Sequence, residues 1–449
     1  MRLAIIGGDA AGMSAASAAK RRDPDLDVVA FERGPYTSYS ACGIPYYVGG
    51  LFDDADRLVS RSPEEHRQAG IDMRVRSEVR AIDLDRRVLT VYERSEQRET
   101  EESFDELVVA TGAVAVPPPI PGAEATETAR TVDAAERFRA GLERGGGKAV
   151  VIGAGYIGLE MAENLVDRGM AVTVIDQADQ VMRTLDRDMA DHVQDGAEAH
   201  GVRFLLSTEI EEIVLDDAGR PCSVHTSEGE LPVDHVTIGT GARPEVRLAE
   251  EAGLALGDTG ALRVDDHQRC PDVEGVYAAG DCVESHHRVL DAAVNIQLGT
   301  HANKQGRIAG VNATGGDVAF PGVVGTAVSK VCKYEVARTG ITEAEAEEAG
   351  IEVVSAIIKS STRATYYPGA GPIWVKMVAD PSTGRVLGGQ IVGVEGAAKR
   401  IDVLAACVWT GVAVDELALM DLSYAPPYSP VYDPLLVAAR AAAKVVEGG

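Results

Sequence analysis

Lys148-Ala149-Val150-Val151-Ile152-Gly153-Ala154-Gly155-Tyr156-Ile157-Gly158 is the stretch that decides the fold. Its short apolar run predicts a buried strand, its glycines a tight turn, and the residues to about Arg168 a helix. A second apolar strand, Ala171–Ile175, ends at Asp176, eighteen residues past Gly158. In a βαβ unit each feature has a duty toward a dinucleotide. The glycines make the turn, admit the pyrophosphate and let helix and strand pack closely, while the helix N-terminus receives negative charge and the acid accepts from a ribose. Asp176 suits a free 2′-hydroxyl and repels a 2′-phosphate. Gln177-Ala178-Asp179-Gln180 adds no cation, so NADH is expected over NADPH.

The pattern occurs a second time, at the N-terminus. A strand Leu3–Ile6 runs into Gly7-Gly8-Asp9-Ala10-Ala11-Gly12 and an alanine-rich helix to about Arg22. The strand Val28–Phe31 then ends at Glu32, twenty residues after Gly12. Asp9 stands where the usual fingerprint has its second glycine. Leu107-Val108-Val109-Ala110-Thr111-Gly112 and Val236-Thr237-Ile238-Gly239-Thr240-Gly241 are apolar strands with small-residue turns, expected to run parallel and carry the chain between the units. Gly275-Val276-Tyr277-Ala278-Ala279-Gly280-Asp281 places a carboxylate at a strand end, suited to the polyol chain of a flavin or, alternatively, to a turn or cap.

Just beyond the first unit lies Ser38-Tyr39-Ser40-Ala41-Cys42-Gly43-Ile44-Pro45-Tyr46-Tyr47, with no second cysteine near Cys42. A thiol there can lie against a flavin ring and exchange electrons as thiolate, sulfenate or mixed disulfide, where an arbitrary cysteine would be inert packing. A helix starting after Cys42, with Pro45 in its first turn, is expected to lower the thiol pKa.

The bulk numbers restrict the class. The chain has 449 residues, 45% hydrophobic and 25% charged, and a formal net charge of -27, which speaks against nucleic-acid and anionic-membrane partners. Six scattered cysteines without C-x-x-C spacing indicate neither a metal site nor a disulfide framework, and a reducing cytoplasmic setting is expected. The apolar N-terminus reads as a buried strand, and prolines break the apolar stretch near 108–123. His286-His287 reads as a solvated loop pair, and Glu343–Glu348 as a solvated helix face.

These motifs resemble the pyridine nucleotide-disulfide oxidoreductases, and within them the single-cysteine branch of coenzyme A-disulfide reductases, NADH oxidases and persulfide reductases. The family's S-x-x-x-C-x-x-P-Y segment is matched by Ser38, Cys42, Pro45 and Tyr46, and its flavin aspartate by Asp281. The start of its flavin-edge helix is matched by Leu298, Gly299, Thr300 and Ala302. Thr37 stands where two-cysteine members carry their other cysteine, and no histidine follows His301.

The resemblance implies an α/β fold with two Rossmann-like three-layer dinucleotide-binding domains and a C-terminal α+β dimerisation domain. The expected division is an FAD domain at about 1–115 and 245–320, an NAD(P)H domain at 116–244 and a dimerisation domain at 321–449. It implies non-covalent FAD held by Gly7, Ala10, Ala11, Gly12, Glu32, Arg33, Ser38, Val79, Ala110, Thr111, Gly112, Asp281, Leu298, Gly299, Thr300 and Ala302. The nicotinamide cofactor falls to Gly153, Gly155, Tyr156 (a movable cover for the flavin), Ile157, Gly158, Glu160, Asp176 and Gly241. Catalysis falls to Cys42, Tyr424 and Tyr366, and substrate contact to Ser14, Arg21, Ser38, Tyr424 and Tyr428, with Lys20, Arg22, Arg61 and Arg67 as helping cations. The expected enzyme is a homodimer whose C-terminal residues complete the partner's site. It would reduce a low-molecular-weight disulfide or persulfide, a coenzyme A-based one among the open choices, with oxygen reduction through a Cys42 sulfenic acid as the alternative.

Overall fold

In the computed structural model, which describes residues 1–448 other than 127, 129, 143–146 and 272, one architectural pattern is built twice. The first parallel sheet has the order Val276–Ala278, Glu106–Val109, Arg2–Ile6, Asp27–Glu32, Asp72–Val75. The second has the order Arg203–Leu205, Ala171–Ile175, Lys148–Ile152, His235–Ile238, again all parallel. A three-stranded antiparallel sheet accompanies each, Ser77–Asp83 to Arg98–Ser103 in the first and Ile210–Leu215 to Gly229–Pro232 in the second. The chain crosses out and back on a two-stranded link, Ala113–Ala115 against Ala242–Pro244. Both glycine motifs therefore follow a central strand, as their apolar runs predict for strands covered on both faces.

Small residues set the distance between the two helices beside the first sheet. The helix Ala10–Arg22 buries Ala11, Ala15, Ala16, Ala18 and Ala19. Against it lies the helix Gly299–Asn312, where a Cβ on Gly306 would come 2.1 Å from Ala11 O and one on Gly310 2.1 Å from Ala15 O. Backbone-to-backbone packing brings the two helix N-termini side by side, and Gly280, the residue before Asp281, lies against Ala11 and Ala302.

The C-terminal part is a five-stranded antiparallel sheet in the order Ala327–Val331, Tyr334–Gly340, Val386–Gly393, Pro372–Ala379, Val354–Ser361. The helices Ile401–Thr410 and Pro434–Gly448 share its core with Ile373, Val375, Ile391, Leu404 and Leu435. Toward the second unit, Lys376 (side chain 3% exposed) is enclosed by Asp186 at 3.1 Å, Asp188 at 2.8 Å and Glu343 at 2.5 Å. The helix Glu343–Ala349 is thus not simply a solvated acidic face, since Glu343 turns onto Lys376 and Glu345 onto Arg338 at 2.6 Å. The His286-His287 expectation also needs correcting. The pair lies in a strand, Ser285–His287, with His286 exposed and His287 buried, its Nδ1 accepting from the Val289 and Leu290 amides at 3.3 and 3.2 Å. No helix among the described residues is long and apolar enough to cross a membrane.

Candidate active site

The two glycine turns are built alike. Gly7 (φ +115) and Gly153 (φ +102) occupy left-handed backbone, and a Cβ there would come 2.0 Å from Ala110 O and 2.7 Å from the Gly239 carbonyl respectively. A Cβ on Gly12 or Gly158 would meet the Gly7 or Gly153 carbonyl oxygen at 1.9 Å. The acid ending each second strand accepts from the amide after the first glycine: Gly8 N to Glu32 at 2.9 Å, Ala154 N to Asp176 at 2.7 Å. Each acid takes one further amide, Gly34 N and Ala178 N, at 2.7 and 2.8 Å. Arg187, on the next helix, reaches back onto Asp179, so the segment after Asp176 has a neighbouring cation that its own residues do not supply, and that cation is paired.

Asp9 departs from the fingerprint for a reason visible only in the fold. Its Oδ1 accepts from Tyr39 N at 3.1 Å, while Ser38 N at 3.0 Å and the Thr37 hydroxyl both donate to Gly8 O. The cysteine segment is thereby latched onto the first turn. Burial foremost, then Glu32, pushes Asp9 up to about 7. Thr37 is fully buried in this latch, where a two-cysteine member would need a thiol.

Cys42 is exposed, in a single 3-10 turn (Ala41–Gly43) ahead of the helix Ile44–Gly49. The expected lowering of its pKa does not hold. Its surroundings are accessible yet crowded, and desolvation first, then the carboxylates Glu160, Asp281 and Asp9, push the thiol up. Those carboxylates come from both units, so the sulfur sits where the two cradles meet. Glu160 accepts from Ser329 Oγ at 2.8 Å and is pushed up to about 7, chiefly by burial.

Long-range cations fix the helix after Cys42. Arg139 donates to Tyr47 O at 3.1 Å and, just beyond the helix, to Phe52 O at 2.7 Å, and Arg168 donates to Val48 O at 2.6 Å, so two cations cap the C-terminal end of this helix. Nothing local in the sequence marks them. Gln305, 1% exposed, is another missed residue: it accepts from Gly280 N at 3.0 Å and donates to Ser285 Oγ at 2.8 Å, fixing the turn that presents Asp281.

Asp281 itself is raised by burial and faces Arg130 at 3.6 Å. Leu298 precedes the helix whose first residues, Gly299 and Thr300, are exposed and whose Ala302 is buried. Thr111 ties its turn to Glu245 O at 2.6 Å, with Ala110 and Gly112 beside it. Val79 pairs in register with Val91, and Arg33 is exposed. Ile157 and Gly241 line one small cavity with Ala115, Thr128 and Arg130. Tyr156 packs partly buried beside Thr184 and is raised by burial. Of the expected cations, Lys20 is held by Pro24 O and Leu26 O, Arg22 by Thr314 O and Gly315 O, and Arg67 by Met73 O and Glu64. Arg21 and Arg61 are exposed and make no described bond, while Ser14 donates to Asn303 at 2.7 Å.

Tyr366 (75% exposed), Tyr424 (47%) and Tyr428 (78%) lie together on the C-terminal surface. Desolvation and the hydrogen bond to Tyr424 raise the Tyr366 phenol. Within one chain, no described hydrogen bond joins this group to the Cys42 segment.

The first cradle fits FAD: side-chain-free positions at Gly7, Gly8 and Gly12, two adjoining helix N-termini, Glu32 at the adenosine end and a buried carboxyl at Asp281. The second fits a nicotinamide dinucleotide by the same tests. Comparison with known proteins agrees. The profile of the pyridine nucleotide-disulphide oxidoreductases matches residues 1–306, and that of their dimerisation domain residues 326–434. The chain is 40% identical over 445 residues to an NAD(P)H sulfur oxidoreductase (CoA-dependent) of Pyrococcus abyssi, covering 97% of each. It is 37% identical over 450 residues to an NADH oxidase of Methanocaldococcus jannaschii, covering 99% of each. It superimposes on the structure of an NAD-dependent persulfide reductase from A. fulgidus with a TM-score of 0.96 and 41% identity, covering all of this chain and 84% of the other. The chain belongs to the pyridine nucleotide-disulphide oxidoreductase family.

Proposed function

We propose that this oxidoreductase passes electrons from NADH, in preference to NADPH, to a coenzyme A-linked disulfide or persulfide, with Cys42 as its only redox-active thiol. The reading is carried by one observation: an accessible, unpaired sulfur whose charged neighbours, Glu160, Asp281 and Asp9, belong to both dinucleotide cradles. The acceptor class follows the names of the similar P. abyssi and A. fulgidus proteins.

FAD, when bound, supplies the passage of an electron pair from nicotinamide to sulfur. Gly7, Ala10–Gly12, Glu32 and Asp281 would hold it, and Gly153–Gly158 with Asp176 would hold the nicotinamide dinucleotide. Cys42 thiolate attacks one sulfur of the acceptor; the S–S bond breaks, a Cys42 mixed disulfide forms and the leaving sulfur takes a proton. Two electrons and a second proton then release the other thiol and restore the thiolate. The sum is RSSR + NADH + H⁺ → 2 RSH + NAD⁺. Tyr424 and Tyr366 of a second copy are the proposed proton donors, since this hydrogen-bonded pair of exposed phenols faces outward, where it can meet a partner's cleft. Free Arg21 and Arg61 would meet a polyanionic acceptor.

Cys42→Ser tests the reading. NADH should still bleach the flavin while disulfide turnover is lost; full turnover in the variant refutes it. A single added oxygen on Cys42 of the purified protein, in place of a thiol-sized adduct, would favour oxygen as acceptor, as the name of the M. jannaschii relative suggests.

A further inference from the structure

His66 is a buried histidine with half of its hydrogen-bonding capacity unused. It lies on the short helix Pro63–Gln68 and is 2% exposed. Its Nε2 is 2.9 Å from Ser38 Oγ, and its Nδ1 is buried without a partner. Ser38 is itself held under constraint. It sits at φ +49, its amide donates to Gly8 O at 3.0 Å, and its carbonyl accepts from Ser60 N at 2.8 Å. With the backbone pinned on both sides, the hydroxyl has one described partner, His66.

The unpartnered nitrogen selects the tautomer. A buried N–H without an acceptor is rarer in folded proteins than a buried acceptor lacking a donor. That asymmetry favours a bare Nδ1, with Nε2 carrying the hydrogen toward Ser38. Burial first, then Arg61, hold the imidazole below its ordinary range, against the opposing pull of Glu65. Both influences favour the neutral ring. A serine oxygen that accepts from His66 keeps its own hydrogen for another acceptor.

We propose that His66 is a positioning residue that makes Ser38 a hydrogen-bond donor to the sulfur substrate bound at Cys42, four residues further on. An O–H directed at a departing thiolate stabilises charge that exists only after the S–S bond has begun to break. The inference rests on the thiol-disulfide reading above and adds to it a donor supplied by the same chain as the cysteine.

Two measurements test it. In holoenzyme labelled with nitrogen-15 in its histidines, the imidazole signal absent from His66→Phe should report a neutral ring protonated at Nε2 near pH 7. A ring protonated at Nδ1, or an imidazolium, overturns the proposal without touching the disulfide reading. In kinetics, His66→Phe keeps ring volume and removes the donor. Disulfide kcat/KM should fall roughly tenfold through kcat, by far more than the rate of NADH-driven bleaching falls. His66→Gln, whose amide can replace Nε2–H, should recover most of the loss, and in a Ser38→Ala background His66→Phe should cost nothing further. A role in packing alone predicts that Phe is harmless. Full disulfide turnover in His66→Phe, failure of Gln to rescue, or a cost that survives Ser38→Ala each overturns the proposal. A wild-type enzyme that reduces no disulfide at all removes the function and this inference together.

Discussion

Arg400 and Asp433 meet at 2.9 Å with only 11% of each side chain exposed, and the same guanidinium donates to Thr362 O at 2.9 Å and Tyr428 O at 2.8 Å. It also reaches Gly396 O. One side chain therefore ties the segment that carries Tyr366 to the segment that carries Tyr424.

Replacing Arg400 by Ala should destabilise the protein by about 3–5 kcal/mol, because Asp433 is left buried without its partner. Disulfide turnover should fall with it as the tyrosine segments lose their mutual register. Arg400→Lys should rescue little, since an ammonium cannot reproduce the planar fork that serves a carboxylate and three carbonyls. Thermal unfolding and steady-state turnover read both effects; a Lys variant of wild-type stability and rate would remove the argument.

Glu160 is the first carboxylate among those that raise the Cys42 thiol. A negative neighbour disfavours a second negative charge, so Glu160→Gln should lower the thiol pKa and enlarge the thiolate fraction. Because Glu160 is itself pushed up to about 7, it carries its charge only above that pH. Alkylation of Cys42 should therefore run severalfold faster in the variant at pH 8 and match wild type near pH 6. Equal rates at both values would show that Glu160 does not bear on the thiol.

Both glycine turns were legible in the sequence because their requirements are local. A strand period, a positive-φ glycine and an acid about twenty residues on all lie within a short window around Gly7–Glu32 or Gly153–Asp176. The meaning of Asp9 was hidden, since its partner Tyr39 N lies thirty residues away and nothing in the turn announces it. The same holds for Arg139 and Arg168 on the helix after Cys42, and for Arg400 between the tyrosine segments. Each is one cation satisfying backbone carbonyls far along the chain, a contact that leaves no periodicity behind. The Cys42 pKa departs from the sequence expectation for a related reason: a proline at a helix start is visible in sequence, whereas the converging Glu160 and Asp281 are not.

Asp176 accepts two backbone amides at the end of its strand, which aims the carboxylate. Asp176→Ala should lower kcat/KM for NADH by roughly tenfold, from the loss of a charged hydrogen bond to the ribose. NADPH should lose less or gain, since the repulsion of a 2′-phosphate goes with the carboxylate. Adding Asp179→Asn frees Arg187 and should move the preference further toward NADPH. An unaltered NADH-to-NADPH ratio in the double variant would show that the preference is set elsewhere.

His287 links stability to pH. Burial above all pushes it from 6.5 down to about 4, and its Nδ1, already accepting from the Val289 and Leu290 amides, has no acceptor for a proton of its own. Between those two values the unfolded chain binds the proton and the folded chain does not, so stability falls as the pH drops below 6.5. The loss should be on the order of 1–2 kcal/mol by pH 5, above the range in which most carboxylates titrate. His287→Asn offers an amide oxygen to the same two donors and cannot titrate. Its midpoint of thermal unfolding should vary less between pH 6.5 and 5 than that of wild type. Parallel curves for the two proteins would assign the acid sensitivity to other groups.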